Sequence, residues 1–285
     1  MKKVFKYIYA ALPFKKQLFS LIKLFPPSQN IYKHLSFTGA FTVTVADKKF
    51  RTMHYGYELE NEIFWKGLAG GWESECITWW VKLCANADVI LDIGASTGIY
   101  ALIAKTVKSD ATVFAFEPIP AVFNKLKQNI ALNDFEIKSY QAALSDYDGT
   151  GTIAIPDTAM QYSVTINQPM ITDGNNYQLV DVSTIRLATF IEQQKLTKVD
   201  LMKIDVETHE GEVLQGMGDY LARYKPVMLI EILNEEVGAK VEELTFPVGY
   251  RFYHIQADSS LVEVKKLTGH TRYYNYLLAV GALPV

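Results

Sequence analysis

No acidic residue occurs before Asp47 in this 285-residue chain, while residues 1–46 carry seven lysines. With an overall formal charge of −3, the other 239 residues therefore carry −10, and neither figure suits a general nucleic-acid binder. Cysteine is scarce. Cys76 and Cys84 are the only two, eight apart on an expected helix, and supply neither a disulfide framework nor a metal set; packing in a reducing compartment is the expectation. No run approaches the roughly 20 apolar residues of a membrane span. The start is not expected to be a signal peptide: Lys2 and Lys3 precede Tyr7 to Phe14, but Pro13, Lys15 and Lys16 follow at once without a small-residue cleavage site. Internal repeats and low-complexity tails are missing too. What remains is 49% hydrophobic and 21% charged, the balance of a globular protein with a sizeable core, expected in the cytoplasm.

Residues 14–25 place Phe14, Leu18, Leu21, Ile22 and Phe25 on one helical face among lysines, before Pro26-Pro27. Packing on its own domain or on a partner copy is one reading. Peripheral contact of residues 1–25 with the inner face of a membrane is the other. Residues 36–58 read as strands, and Gly67–Gly71 as a flexible joint. Ser74 onward reads as a helix with Cys76, Ile77, Trp80, Val81 and Cys84 facing the core. We divide the chain into an N-terminal extension, 1–70, and a main domain, 71–285. From residue 88 strand and helix signals alternate, which implies a largely parallel sheet covered on both faces. Expected strands are 89–94, 112–117, 137–142, 199–204, 226–232, 249–256 and 273–280. Expected helices are 98–107, 120–132, 186–195, 208–223 and 234–244. Residues 147–180 break the rhythm and read as an insertion, a strand pair or loop over the site edge.

The glycines after the first of these strands fall at 94 and 98, with Ser96 where a dinucleotide loop needs its second glycine. A pyrophosphate cradle is therefore disfavoured. Asp92, Gly94, Ala95, Ser96, Thr97 and Gly98 better suit a zwitterion, the carboxylate of Asp92 taking an ammonium and the loop taking a carboxylate. S-adenosylmethionine has both charges. Glu117 ends the next strand, 23 residues after Gly94, where a carboxylate takes ribose hydroxyls.

Phe116-Glu117-Pro118-Ile119-Pro120, with Leu126, Asn129, Leu132 and Asn133, resembles the FkbM family of S-adenosylmethionine-dependent methyltransferases. Trp72-Glu73, the 92–98 loop, Ala143-Leu-Ser-Asp146 and Asp200 to Glu207 fit the same pattern, over roughly residues 70 to 280. The resemblance implies a class I methyltransferase fold: a Rossmann-like, seven-stranded, mostly parallel α/β sheet whose last strand inserts antiparallel beside the fifth. It also implies that Glu73, Pro118, Ala143, Ser145 and Asp205 join the cofactor site. Two departures stand out. Ser96 replaces the family's usual asparagine, and Glu207-Thr208-His209-Glu210 replaces Glu-Gly-x-Glu.

Lys203 to Glu210 sets three acids, a lysine and a histidine at the carboxyl end of the fourth strand, where open α/β sheets bind ligands. Candidate catalytic residues are His209 as general base, with Asp205, Glu207 and Glu210; Glu231 ends the next strand at the same edge. Glu207 and Glu210 also suit a helix N-terminus on electrostatic grounds alone. Asp205, Glu207 and Glu231 have no diagnostic ligand spacing, so no metal is expected. The resulting reading is O-methylation of a hydroxyl on a sugar, glycan or small natural product, by a monomer or homo-oligomer. An inactive methyltransferase-like binding protein and a nicotinamide oxidoreductase are the alternatives.

Overall fold

The computed structural model describes residues 14–25, 27–71, 73–156, 177–270 and 273–283. Residues 1–13 of the expected membrane contact, Trp72, and residues 157–176 of the expected insertion lie outside them. The central sheet is organised around β3 (Val89–Ile93), flanked by β4 (Thr112–Phe116) and β5 (Ile137–Tyr140) on one side. On the other side stand β9 (Leu201–Ile204) and β10 (Val227–Glu231), all five strands parallel. β13 (Asn275–Ala279) enters antiparallel between β10 and β11 (Arg251–Ile255), as the class I arrangement requires. The chain thus has the class I methyltransferase fold.

The continuous apolar strands are explained by their two covered faces. Ile90, Val113, Leu201, Leu229 and Leu277 belong to one buried cluster. Their strand neighbours Leu91, Phe114, Met202, Met228 and Leu278 belong to the other, following the period of two. α4 (Ser74–Cys84) and α5 (Ile99–Val107) cover the first face. α7 (Leu187–Gln193) and α8 (Glu210–Met217) cover the second.

The N-terminal segment shares the first core rather than standing apart from it. Phe19 of α1 (Lys15–Ile22), Tyr32 of α2 (Gln29–Tyr32) and Trp65 of α3 (Glu58–Lys66) pack in the same cluster as Trp80 and Ala101. The hairpin β1 (Gly39–Val45) and β2 (Lys48–His54) docks on α6 (Pro120–Ala131) through side-chain amides. Asn133 Oδ1 accepts from Arg51 N–H at 2.5 Å, and Asn129 Oδ1 accepts from Met53 N–H at 2.8 Å.

Several expectations need correction. The sheet has eight strands, because β12 (Leu261–Val264) pairs along the outer edge of β11. The span 208–223 is two helices, α8 and α9 (Asp219–Tyr224), separated at Gly218. Residues 59–66, unassigned between the expected strands and the glycine joint, belong to α3, which buries Glu60, Asn61, Ile63, Phe64 and Trp65. In the insertion, β7 (Gly149–Pro156) and β8 (Tyr177–Arg186) pair antiparallel, and β6 (Ala143–Ser145) adds parallel to β8 in a sheet of its own. α10 (Glu235–Thr245) completes the helical layer beside α8.

Candidate active site

A cavity of about 1020 Å³ opens over the carboxyl ends of β3, β4, β9 and β10. Its first wall is the loop after β3. Two glycines are dictated by close approach. Gly94 has φ +77, and a Cβ there would lie 1.9 Å from the Asp205 carbonyl oxygen. Gly98 has φ +89, and a Cβ would meet Leu126 at 2.4 Å. Ser96 adopts φ 50, a left-handed conformation that asparagine tolerates better than most side chains. Its N–H donates to Glu117 Oε2 at 3.0 Å, and Ile119 N–H donates to Glu117 Oε1 at 2.9 Å. Burial pushes the Glu117 carboxyl up to about 7, against the pull of those two N–H groups. Asn129 fixes this wall from behind, donating to Thr97 carbonyl at 2.8 Å while holding the hairpin with its oxygen.

The second wall is charged. Lys203, 4% exposed, donates to Asp205 Oδ2 at 2.7 Å and lies 4.6 Å from the Tyr100 ring centroid. Tyr100 hydroxyl donates to Glu73 Oε2 at 2.6 Å. Carboxyl oxygens of Glu73, Asp205 and Glu231 lie within 4.8 Å of one another. Burial raises the carboxyls of Glu73 and Glu231 well above the usual range; Lys203 draws both down, and neighbouring acids push them up. Burial opposes the charge on Lys203, but Asp205, Asp92 and Glu73 more than offset it and raise its pKa. Glu231 Oε2 and Thr97 Oγ1 are buried with no hydrogen-bond partner among the described residues.

Of the residues expected from sequence, Glu73, Gly94, Ala95, Ser96, Thr97, Glu117, Pro118, Ala143, Asp205, Glu207 and His209 line the cavity. Asp92 does not. It is fully buried behind the loop, is raised by burial to about 6, and anchors α5 by accepting from Ala101 N–H at Oδ2 at 2.9 Å, while its Oδ1 has no hydrogen-bond partner among the described residues. Gly98 is a packing residue. Ser145 sits behind the wall, hydrogen-bonded to His209 Nε2 at 3.0 Å. His209 Nδ1 faces Glu212 at 3.6 Å, and burial lowers its pKa. With Nε2 held by Ser145, the imidazole is positioned by the fold at the cavity wall. Glu210 is also withdrawn from the cavity: 0% exposed, it accepts from Val206 N–H at 3.1 Å, and burial raises it to about 8. Between them Glu207 and Thr208 take φ 55 and 78, strain that the family's glycine at 208 would relieve. Sequence reasoning missed Tyr100, a helix aromatic with no outward signal, and the lining by Tyr57, Glu58 and Glu60 of the extension.

The Methyltransferase FkbM domain model matches residues 92–257. The chain belongs to the FkbM methyltransferase family. Relatives include Methyltransferase 1 of Beauveria bassiana, 31% identical over 145 residues, covering 46% of this chain and 58% of that protein. Hexuronic acid methyltransferase AglP of Haloferax volcanii is 30% identical over 149 residues, covering 52% and 58% respectively. The 31-O-demethyl-FK506 methyltransferase FkbM of Streptomyces tacrolimicus is 28% identical over 156 residues, covering 46% and 60%. The match thus spans under two thirds of each of these relatives. Among solved structures, an FkbM methyltransferase of Methylobacillus flagellatus is similar at TM-score 0.40 and 16% identity, over 68% of this chain and 44% of that one.

S-adenosylmethionine is the cofactor of the FkbM family to which the chain belongs, and the residues present fit it. Gly94 to Thr97 offer a glycine-turned wall with an unpartnered Thr97 hydroxyl. Glu117, steadied by two N–H groups, keeps a lone pair on each oxygen for the ribose diol. When bound, the cofactor supplies an electrophilic methyl group.

Proposed function

We propose that this FkbM-family chain O-methylates a hydroxyl of a sugar or small natural product, with Glu73 as the base. The observation that carries this reading is the convergence of Glu73, Asp205 and Glu231 in the cavity that the cofactor loop lines. A hydroxyl attacks the methyl carbon well only if its proton leaves as the C–O bond forms. Asp205 is occupied by Lys203, and Glu231 is the more strongly neutralised by burial and neighbouring acids. Glu73, raised towards neutrality and oriented by Tyr100, suits proton acceptance best. The Glu73 carboxylate would accept the hydroxyl proton as the oxygen takes the methyl group that bound S-adenosylmethionine would supply, which would leave a neutral thioether. Lys203 pairs with Asp205 and limits how far Glu73 is neutralised.

The lining also bears on acceptor charge. Nine carboxyl side chains face the cavity, and its lysine, Lys203, is committed to Asp205. A carboxylate-bearing sugar meets no uncommitted lysine or arginine on that lining among the described residues. This favours an uncharged or amine-bearing acceptor over the hexuronic acid for which the Haloferax relative is named. The test is incubation with methyl-labelled S-adenosylmethionine and fractionated metabolites. Label in an ether of a neutral or cationic product supports the reading; label on nitrogen or carbon ends it.

A further inference from the structure

Six of the ten large apolar side chains exposed among the described residues fall within residues 14–31, the α1–α2 region. Phe14 is 74% exposed, Leu21 67%, Leu24 72% and Phe25 87%, with Leu18 and Ile31 beside them in sequence. Leu18 and Leu21 share one face of α1, and Phe14, Leu24 and Phe25 flank its two ends. The opposite side of α1 is fastened down: Phe19, 2% exposed, packs its ring 5.8 Å from that of Trp65 and 6.5 Å from that of Phe37. The apolar face therefore cannot turn inward without breaking the core.

Charge identifies the occupant. No acid precedes Asp47, and Lys15, Lys16 and Lys33 accompany the apolar residues, with Lys2, Lys3 and Lys6 earlier in the sequence. Lys23 is turned onto the Phe64 ring at 5.1 Å and does not contribute. Docking two copies through this patch would press lysine-rich segments together. An anionic bilayer offers the opposite charge, and each lysine near such a surface contributes about 1 kcal/mol. We propose that α1 and α2 form a docking surface for an anionic membrane, with Phe14, Leu18, Leu21 and Phe25 in the acyl boundary and lysines at the headgroups. The proposal does not depend on the acceptor. The surface nonetheless neighbours the cavity, since Gln29 of α2 donates to Glu62, a cavity-lining residue, at 3.1 Å.

Flotation of the full chain with phosphatidylcholine vesicles, with and without phosphatidylglycerol, tests this. Binding is expected only with phosphatidylglycerol and weaker at high salt. Replacing Leu21→Glu and Phe25→Glu together should weaken it at least about tenfold. Affinity for S-adenosylhomocysteine, measured by calorimetry, should stay unchanged in that variant. Absent binding, equal binding to neutral vesicles, or undiminished binding by the variant overturns the proposal. So does a lipid-free dimer that the variant dissociates, which would assign the face to a second copy.

Discussion

The two walls of the cavity hold their acids in opposite ways. On the cofactor side, each oxygen of Glu117 has a backbone N–H at hydrogen-bond distance, and Asn129 braces the loop from behind. On the facing side, Glu73, Asp205 and Glu231 crowd within 4.8 Å around one committed lysine, and Glu231 Oε2 has no partner among the described residues. The first wall is a finished binding surface. The second stores electrostatic cost, as groups that must change protonation during a reaction do. The difference implies that damage to the first wall should appear in cofactor affinity and damage to the second in turnover or folding.

The sharpest way to break the comparison is Glu73→Gln. It keeps the shape but removes the proton acceptor, so kcat should fall about 10²- to 10⁴-fold with cofactor affinity far less affected. In the unmodified chain, kcat should climb as pH rises through the raised pKa of Glu73, where the carboxylate form appears. A loss confined to KM would move Glu73 to the binding wall. The next largest effect is expected for Lys203→Met. It leaves Asp205, Asp92 and Glu73 without their buried cation, at a cost of about 3–5 kcal/mol in urea unfolding. Unchanged stability would mean that the carboxyl cluster is held without the lysine's charge. On the first wall, Glu117→Gln should weaken S-adenosylhomocysteine binding by roughly 1.5–3 kcal/mol, read by calorimetry, with kcat at saturation little altered. A kcat effect larger than the affinity effect would erase the distinction between the walls.

The same contrast decides what the sequence made legible. Gly94, Gly98 and Glu117 were readable because each answers a local backbone demand: a close approach, a turn, a pair of N–H groups. The parallel sheet covered on both faces followed from alternating strand and helix signals, whereas the antiparallel last strand came only from the family resemblance. Asp92 and Glu210 were misplaced relative to the cavity, and His209 is tied to Ser145 at its wall, for a common reason. A polar residue at a strand end or helix start serves either the backbone or a ligand, and only its rotamer says which. Glu73 and Glu231 converge from a helix N-terminus and a strand end far apart in the chain, a juxtaposition without local periodicity. α3 was not legible because its buried side includes Glu60 and Asn61, which blur an apolar helical stripe.

Glu210 gives a smaller effect with a definite sign. Burial pushes its carboxyl up to about 8 from a usual value of 4.5. Stability contributed by the neutral acid is complete below about 4.5 and is lost as pH rises through about 8. Glu210→Gln keeps an oxygen for Val206 N–H and abolishes that loss. The variant should gain roughly 1–3 kcal/mol on the parent between pH 5 and 9, followed by thermal unfolding across pH. Because Glu210 lies behind the wall, turnover should survive; abolished turnover would return it to the catalytic set.

The smallest expected effect concerns the loop that joins Asp205 to Glu210. Glu207 and Thr208 hold consecutive left-handed conformations, at φ 55 and 78, and Thr208 is β-branched, the side-chain type least suited to that region. Thr208→Gly removes the steric cost but enlarges the freedom of the unfolded chain, and the two partly cancel. A net gain of about 0.5–1 kcal/mol in unfolding free energy is expected if strain is the larger. The informative measurement is turnover alongside stability. If the strain serves only to set the carboxylate wall, the glycine variant should be more stable and slower, with cofactor affinity unmoved. Equal turnover in a stabilised variant would mean that the second wall is held by its ion pairs and not by its backbone.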